Sequence, residues 1–177
     1  DHWHRYTYDA RDNLLSASLG GVRDNRYWYD SRNRLTNILN PNGAPILALP
    51  YDVQGNLRTK NGRVHESDMG NRLRAIQGVE TYQYDATGRR AVTSDANGDR
   101  LRSFYSQSGQ LLFEDRRGSG GTEYIHVGSR LVAKRESGVV SYQHLDGLGS
   151  PVAASNSAGQ ITERNQYEPY GQAIGKA

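Results

Sequence analysis

The stretch Tyr82-Gln83-Tyr84-Asp85-Ala86-Thr87-Gly88-Arg89-Arg90-Ala91-Val92 decides the fold, because weaker copies of it recur along the chain. Tyr82 and Tyr84 are two residues apart, so in an extended strand their rings share one face and Gln83 points to the other. Asp85 can accept a hydrogen bond from the backbone two residues on, and Gly88 supplies a positive φ where the chain reverses. Arg89 to Val92 begin the return. One unit predicts the end of a strand, a tight turn and the start of an antiparallel neighbour.

The copies are Tyr6-Thr7-Tyr8-Asp9 with Asn13-Leu14, Tyr27-Trp28-Tyr29-Asp30 with Asn33-Arg34-Leu35, and Tyr51-Asp52 with Gly55-Asn56-Leu57. Ser67-Asp68 with Asn71-Arg72-Leu73 is a worn copy. After Tyr84-Asp85 come Phe104-Tyr105 with Gly109-Gln110-Leu111, then Tyr124-Ile125 with Gly128 and Leu131, both without the aspartate. The anchors Tyr8, Tyr29, Tyr51, Ser67, Tyr84, Tyr105 and Ile125 are 21, 22, 16, 17, 21 and 20 residues apart, so the period is near twenty with two short units. A repeat of that length is one supersecondary unit stacked on its neighbours.

Between these anchors falls a second series of turn signals: Gly20-Gly21, Asn42-Gly43, Asn61-Gly62, Gly78, Asn97-Gly98, Gly118 to Gly121, Gly138 and Gly159. Asn-Gly favours two-residue hairpin turns. The two series divide each period into two strands of about seven to nine residues, each about 25 Å long. The expectation is an all-β antiparallel meander of about fourteen to eighteen strands in one continuous sheet. The apolar residues alternate and glycine or asparagine arrives about every ten residues, so helix is disfavoured; Arg72 to Gln77 is too short to stand as one.

Composition agrees with a thin sheet. Hydrophobic residues are 35% and mean hydropathy is -0.82, with twelve tyrosines against two phenylalanines. Tyrosine packs its ring and sends its hydroxyl to a polar partner, so a sheet can be stabilised without a thick apolar core. Evenly spaced aromatic residues between turns distinguish the chain from a disordered polar segment. There is no cysteine, which excludes disulfides, thiolate metal sites and a thiol nucleophile. No membrane-spanning run is present, and the start Asp1-His2-Trp3-His4 reads as part of a longer polypeptide. The net charge of +3, with arginine and aspartate intermixed, suggests solvated strand faces and not a nucleic-acid surface.

The Y-D-x-x-G/N units resemble the YD repeats of the RHS family. Tyr142-Gln143-His144-Leu145-Asp146-Gly147-Leu148-Gly149-Ser150-Pro151-Val152 sharpens the resemblance, being similar to the H-x-D-x-L-G-S-P element of the RHS-associated core, with Ala158 to Ile161 and Tyr167-Glu168-Pro169-Tyr170-Gly171 following in order. The division expected is 1–131 for degenerate YD repeats and 132–177 for a core-like segment continuous with the same sheet. That family takes in bacterial polymorphic toxins, insecticidal toxin-complex shells and teneurins. The resemblance implies a sheet that spirals into a hollow shell, often around a C-terminal toxin. The family's downstream autocleavage carboxylates have no counterpart before Gly175-Lys176-Ala177, so no enzymatic role is carried over.

Other constellations are weaker. His2 and His4 alternate as a metal pair would, yet lack a third ligand nearby in sequence. His144, Asp146 and Ser150 could be imagined as a triad, but no nucleophile elbow surrounds them and Leu145, Leu148 and Gly149 suit a bulged turn better. Gly118 to Gly121 lacks the ending of a phosphate loop and reads as a long hairpin tip. Arg34, Arg72 and Arg89, each four residues after an aspartate, could pair across the turn. Interleaved Arg and Tyr at Arg5-Tyr6, Arg26-Tyr27 and Arg164 to Tyr167 fit cross-strand ladders better than a nucleic-acid groove.

The residues expected to carry the repeat structurally are thus Tyr8, Asp9, Tyr29, Asp30, Tyr51, Asp52, Gly55, Asp68, Tyr84, Asp85, Gly88, Tyr105, Gly109 and Gly128. From the core-like element come His144, Asp146, Gly149, Pro151, Tyr170 and Gly171. No catalytic residue, cofactor or metal is expected. With the resemblance, the expected role is a fragment of a secreted or cell-surface shell whose partners are the rest of that shell and an enclosed toxin or cargo. The alternative is an adhesion scaffold at a cell surface.

Overall fold

The computed structural model describes residues 3–118 and 120–176, and among them are eighteen strands and no helix. The first sheet contains β1 (His4–Tyr8), β2 (Leu14–Leu19), β3 (Arg23–Tyr29), β4 (Leu35–Leu39) and β5 (Pro45–Ala48). The second begins with β6 (Thr59–Lys60), β7 (Arg63–Ser67), β8 (Leu73–Ile76) and β9 (Glu80–Tyr84). It continues through β10 (Arg90–Asp95), β11 (Arg100–Tyr105), β12 (Leu111–Arg116), β13 (Gly120–Val127) and β14 (Arg130–Glu136). It ends with β15 (Val139–Leu145), β16 (Pro151–Ser155), β17 (Ile161–Tyr167) and β18 (Ala173–Lys176). Strand order is chain order in both sheets, and the ladders are antiparallel. The chain divides into two units, Asp1–Thr81 and Tyr82–Ala177.

The all-β meander is what the alternation and the turns imply. The single continuous sheet is not: the strands form a five-stranded and a thirteen-stranded sheet, interrupted between β5 and β6. The interruption coincides with Pro50, which has no N–H to give a ladder, and with the Asp52 turn, where Tyr51 and Leu57 make an isolated bridge. Here the period is shortest, leaving only the two-residue strand β6 to begin the next ladder.

The core is thin. The buried apolar residues are Ala17, Leu49, Tyr82, Ala133 and Ala154, mostly small, and Trp28, Phe104, Ile125 and Tyr142 remain substantially exposed. The accessible surface is 12297 Å². Two separate well-packed domains of half this mass would expose roughly 10,400 Å². Much of the apolar surface is thus half-covered by cross-strand neighbours, as where the Phe104 and Phe113 rings meet with centroids 6.0 Å apart. Gly121 lies beneath the Phe113 ring: a Cβ there would come within 2.1 Å of Phe113 Cζ. The long tip expected at Gly118 to Gly121 is absent in that form, because β13 already starts at Gly120; Ser119 lies outside the described residues.

Candidate functional site

The recurring local structure is a bulged Asx turn. At Asp30 the backbone N–H donates to the Arg34 carbonyl (2.9 Å), and the Asp30 carbonyl accepts from Asn33 N–H (3.0 Å). The side chain closes the loop from inside: Asp30 Oδ1 accepts from the N–H groups of Arg32 (2.8 Å) and Arg34 (3.0 Å). Asp9, Asp68, Asp85 and Asp146 repeat this double acceptance. Asp52 Oδ1 takes the Asn56 N–H at 2.8 Å. The third residue on is left-handed, whether Asp12, Asn33 or Asn71, or Gly55, Gly88 or Gly149. A turn closed this way gives the strand an extra residue, and the register shifts at Thr7/Tyr8, Trp28/Tyr29, Phe104/Tyr105 and His144/Leu145 record that bulge.

These hydrogen bonds favour the ionised carboxylate and hold all six carboxyls below their ordinary range. The leading cause at Asp9 and Asp52 is the side-chain amide of Asn13 and Asn56. At Asp30, Asp68 and Asp146 it is the backbone N–H of Arg34, Arg72 and Ser150, and at Asp85 the Thr87 hydroxyl.

The same turn occurs where the sequence reading placed two-residue hairpins. At Asn42-Gly43, Asn97-Gly98 and Gly159 the Asx role belongs to Asn40, Asp95 and Asn156, each accepting two backbone N–H groups. Only the glycine of each is left-handed, whereas a type I′ turn needs positive φ at both central residues, as at Asn61-Gly62 and Ser137-Gly138, and a type II′ turn needs it at the first. After Tyr105, Ser106 replaces the aspartate: its Oγ accepts from Gln110 N–H at 3.1 Å, with Gly109 left-handed. The unit at Ile125 differs. Val127 pairs with Arg130 across Gly128-Ser129, so the chain reverses there without an Asx loop.

The tyrosine before the turn has a fixed destination. Tyr29 Oη donates to the Leu14 carbonyl (3.0 Å), Tyr51 to Leu35 (2.8 Å), Tyr105 to Arg90 (3.1 Å) and Tyr167 to Pro151 (3.1 Å). Each acceptor is the residue five places after the aspartate of the preceding unit. Burial, then the Asp9 charge, pushes the Tyr29 hydroxyl up. Tyr8 and Tyr84 lie at the ends of β1 and β9. In the core-like element Tyr167 occupies the anchor position, Tyr170 sits at the tip of the following turn, 60% exposed, and Gly171 is the left-handed residue of that Glu168 turn.

Turn side chains also reach the next turn. Arg34 and Arg72 pair with their own Asp30 and Asp68 at 2.7 and 3.0 Å. Arg89 does not hold Asp85 in this way: its guanidinium donates to the carbonyls of Ser106 (2.6 Å) and Gln107 (2.8 Å). Within the first unit Arg11 donates to Asn33 (3.1 Å) and Asn56 to Asn71 (3.0 Å); within the second Gln110 donates to the Gly128 carbonyl (2.6 Å). Together with the tyrosine bonds, these contacts fasten one repeat to the next along two lines.

The imagined triad is not assembled. His144 Nε2 lies 2.8 Å from Ser155 Oγ on the adjacent strand, while Asp146 and Ser150 are engaged in the turn. His4 stacks on Tyr6, His2 lies outside the described residues, and no group of three metal-ligating side chains occurs among the described residues. No helix among them is long and apolar enough to cross a membrane.

A chain-order meander with bulged Asx turns and inter-repeat tyrosine bonds is a YD-repeat sheet. A family model described as Teneurin YD-shell matches residues 2–176, and the chain belongs to that family, within the wider RHS/YD-repeat group. It is 25% identical to Teneurin-1 of Mus musculus over 193 residues, and 26% identical over 179 residues to the tRNA3(Ser)-specific nuclease WapA of Bacillus spizizenii. Each match takes in 94% of this chain but 7% of the relative's length. Among solved structures, a chain of the Photorhabdus luminescens Tc holotoxin pore superposes with a TM-score of 0.61 at 18% identity, over 98% of this chain and 12% of that one. The TcdB2-TccC3 structure without its hypervariable C-terminal region gives 0.57 at 18% identity, over 99% of this chain and 10% of that one. These structural likenesses show the fold.

Proposed function

We propose that this chain is wall: a stretch of RHS-type β-shell that encloses and shields a C-terminal toxin or other cargo in a secreted bacterial toxin. The observation that carries the reading is the thin, half-covered sheet, whose repeats are fastened to one another and not around a core. Such a structure suits a barrier built by repetition. Its partners are then the rest of the shell and the enclosed cargo, with neither nucleic acid nor a cofactor as a primary ligand. The expected division, repeats to residue 131 and a core-like segment from 132, places the His144–Pro151 element at the shell's later repeats. Any chemistry belongs to the cargo, so His144→Ala and Asp146→Ala disturb the local turn and abolish no reaction of this chain.

The test is protease protection of the parent protein. In the shell reading its C-terminal segment resists trypsin while the wall is intact and is cut once the wall is loosened by mild denaturant. A C-terminal segment cut as fast in the intact protein as when released contradicts it. A second reading, an adhesion scaffold at a cell surface, is favoured by the match to teneurins across 94% of the chain. A membrane-spanning or wall-anchoring segment in the parent, with no small variable domain beyond Ala177, supports that reading.

A further inference from the structure

The β13–β14 hairpin and the loop after β15 enclose an open pocket within the second unit. Its polar lining includes Arg130, Lys134, His126 and Gln143, and no carboxylate. The Arg130 side chain is exposed and makes neither an ion pair nor a hydrogen bond among the described residues. Lys134 lies over the Tyr124 ring, its ammonium 5.6 Å from the centroid, and with Glu136 and Glu163 lines a separate concavity. His126 Nδ1 is buried without a hydrogen-bond partner. Buried polar atoms as a rule have one, but this nitrogen is closed to solvent and to the pocket's occupant alike, so the ligand-facing cations are Arg130 and Lys134.

The other half of the lining is apolar: Leu131, Leu145, Leu148 and Pro151. Leu148 is held at the tip of the Asp146 turn, 95% exposed. A bare anion would use the cations and leave Leu148 in water. An acidic residue flanked by an aliphatic one uses both halves, and the planar guanidinium of Arg130 matches a carboxylate.

We infer that this pocket binds an acidic peptide segment, its carboxylate held by Arg130 and Lys134 and a neighbouring aliphatic side chain laid against Leu145, Leu148 and Pro151. Charge complementarity selects the occupant, and the inference stands whether or not the chain walls a cargo.

The experiment is fluorescence anisotropy on the full chain with dye-labelled acetyl-Gly-Leu-Glu-Leu-Gly-amide, its Gln counterpart, and unlabelled phosphate and acetate as competitors. The Glu peptide should bind about tenfold more tightly than the Gln peptide, by the loss of a charge-assisted contact. Arg130→Gln and Leu148→Ser, both at exposed positions, should each weaken it about fivefold or more, and circular dichroism should show the sheet unchanged. Equal affinity for the two peptides, no binding of either, or indifference to Arg130→Gln overturns the inference. Displacement by phosphate together with indifference to Leu148→Ser shows a site for free anions and overturns it equally.

Discussion

The guanidinium carbon of Arg34 lies 4.7 Å from the centre of the Tyr51 ring, while Nε and one terminal nitrogen of the same side chain hold Asp30 at 2.7 Å. One arginine therefore joins the turn of its own repeat to the anchor tyrosine of the next. Arg89 repeats only the second half of this: its guanidinium carbon lies 5.9 Å from the centre of the Tyr105 ring, while its donors go to the Ser106 and Gln107 carbonyls and not to Asp85.

Arg34→Lys keeps the charge but loses the planar group that stacks and the Nε donor. A cation–π contact at such a half-exposed site contributes about 0.5–1 kcal/mol. A thermal melt should show a drop of about 1–4 °C. The same substitution in a Tyr51→Leu background should cost less; an identical cost in both backgrounds would separate Arg34 from Tyr51.

Tyr51→Phe removes only the hydroxyl that reaches the Leu35 carbonyl. The expected loss is about 0.5–1.5 kcal/mol, read from urea unfolding. No measurable loss would separate the hydroxyl from the anchor role.

Acid should loosen the turns before it affects the strands. Because the six aspartate carboxyls have lowered native pKa values, their contribution is complete above the unfolded value of about 3.9 and is lost as pH falls through the native values below it. Melting temperature should therefore fall steeply below pH 4, and Asp85→Asn should flatten part of that slope. Stability unchanged down to pH 2 would contradict the carboxylate assignment.

Gly88 holds φ at 83°, the position that Asn33 and Asn71 occupy at 58° and 61°. Gly88→Ala should destabilise by about 1–2 kcal/mol, and Gly88→Asn by less, since asparagine enters the left-handed region more readily. Nothing lies within 4 Å of where a Cβ would stand, so backbone strain and not crowding is measured. Equal melting temperatures for the two variants would mean the turn can relax.

Much of this fold is legible in the sequence. Tyr-Asp followed three residues later by Gly or Asn encodes the anchor, the acceptor and the left-handed residue in one short stretch, all local. The same turn at Asn40, Asp95 and Asn156 is harder to see, because no tyrosine precedes it and, after Asn40 and Asp95, the conspicuous Asn-Gly pair points to another turn type. Destinations across repeats are not written locally: Arg89 has Asp85 four residues away and reaches Ser106 instead. The choice of Tyr167 over Tyr170 depends on register, which the bulge at Gln166/Tyr167 sets. The break at Pro50 could have been suspected from the missing N–H, but its effect on the ladder is a tertiary matter.

The tyrosine bonds have a direction along the chain. Each hydroxyl reaches backward to a carbonyl 15 or 16 residues earlier. During synthesis, therefore, every acceptor already exists when its donor leaves the ribosome, and a finished repeat waits for nothing downstream to make this bond. Growth can proceed as a zipper closing from the N-terminal side, with sequence-local contacts that form early. Losing an early repeat removes an acceptor from its successor, whereas losing a late one leaves its predecessor's tyrosine bond intact.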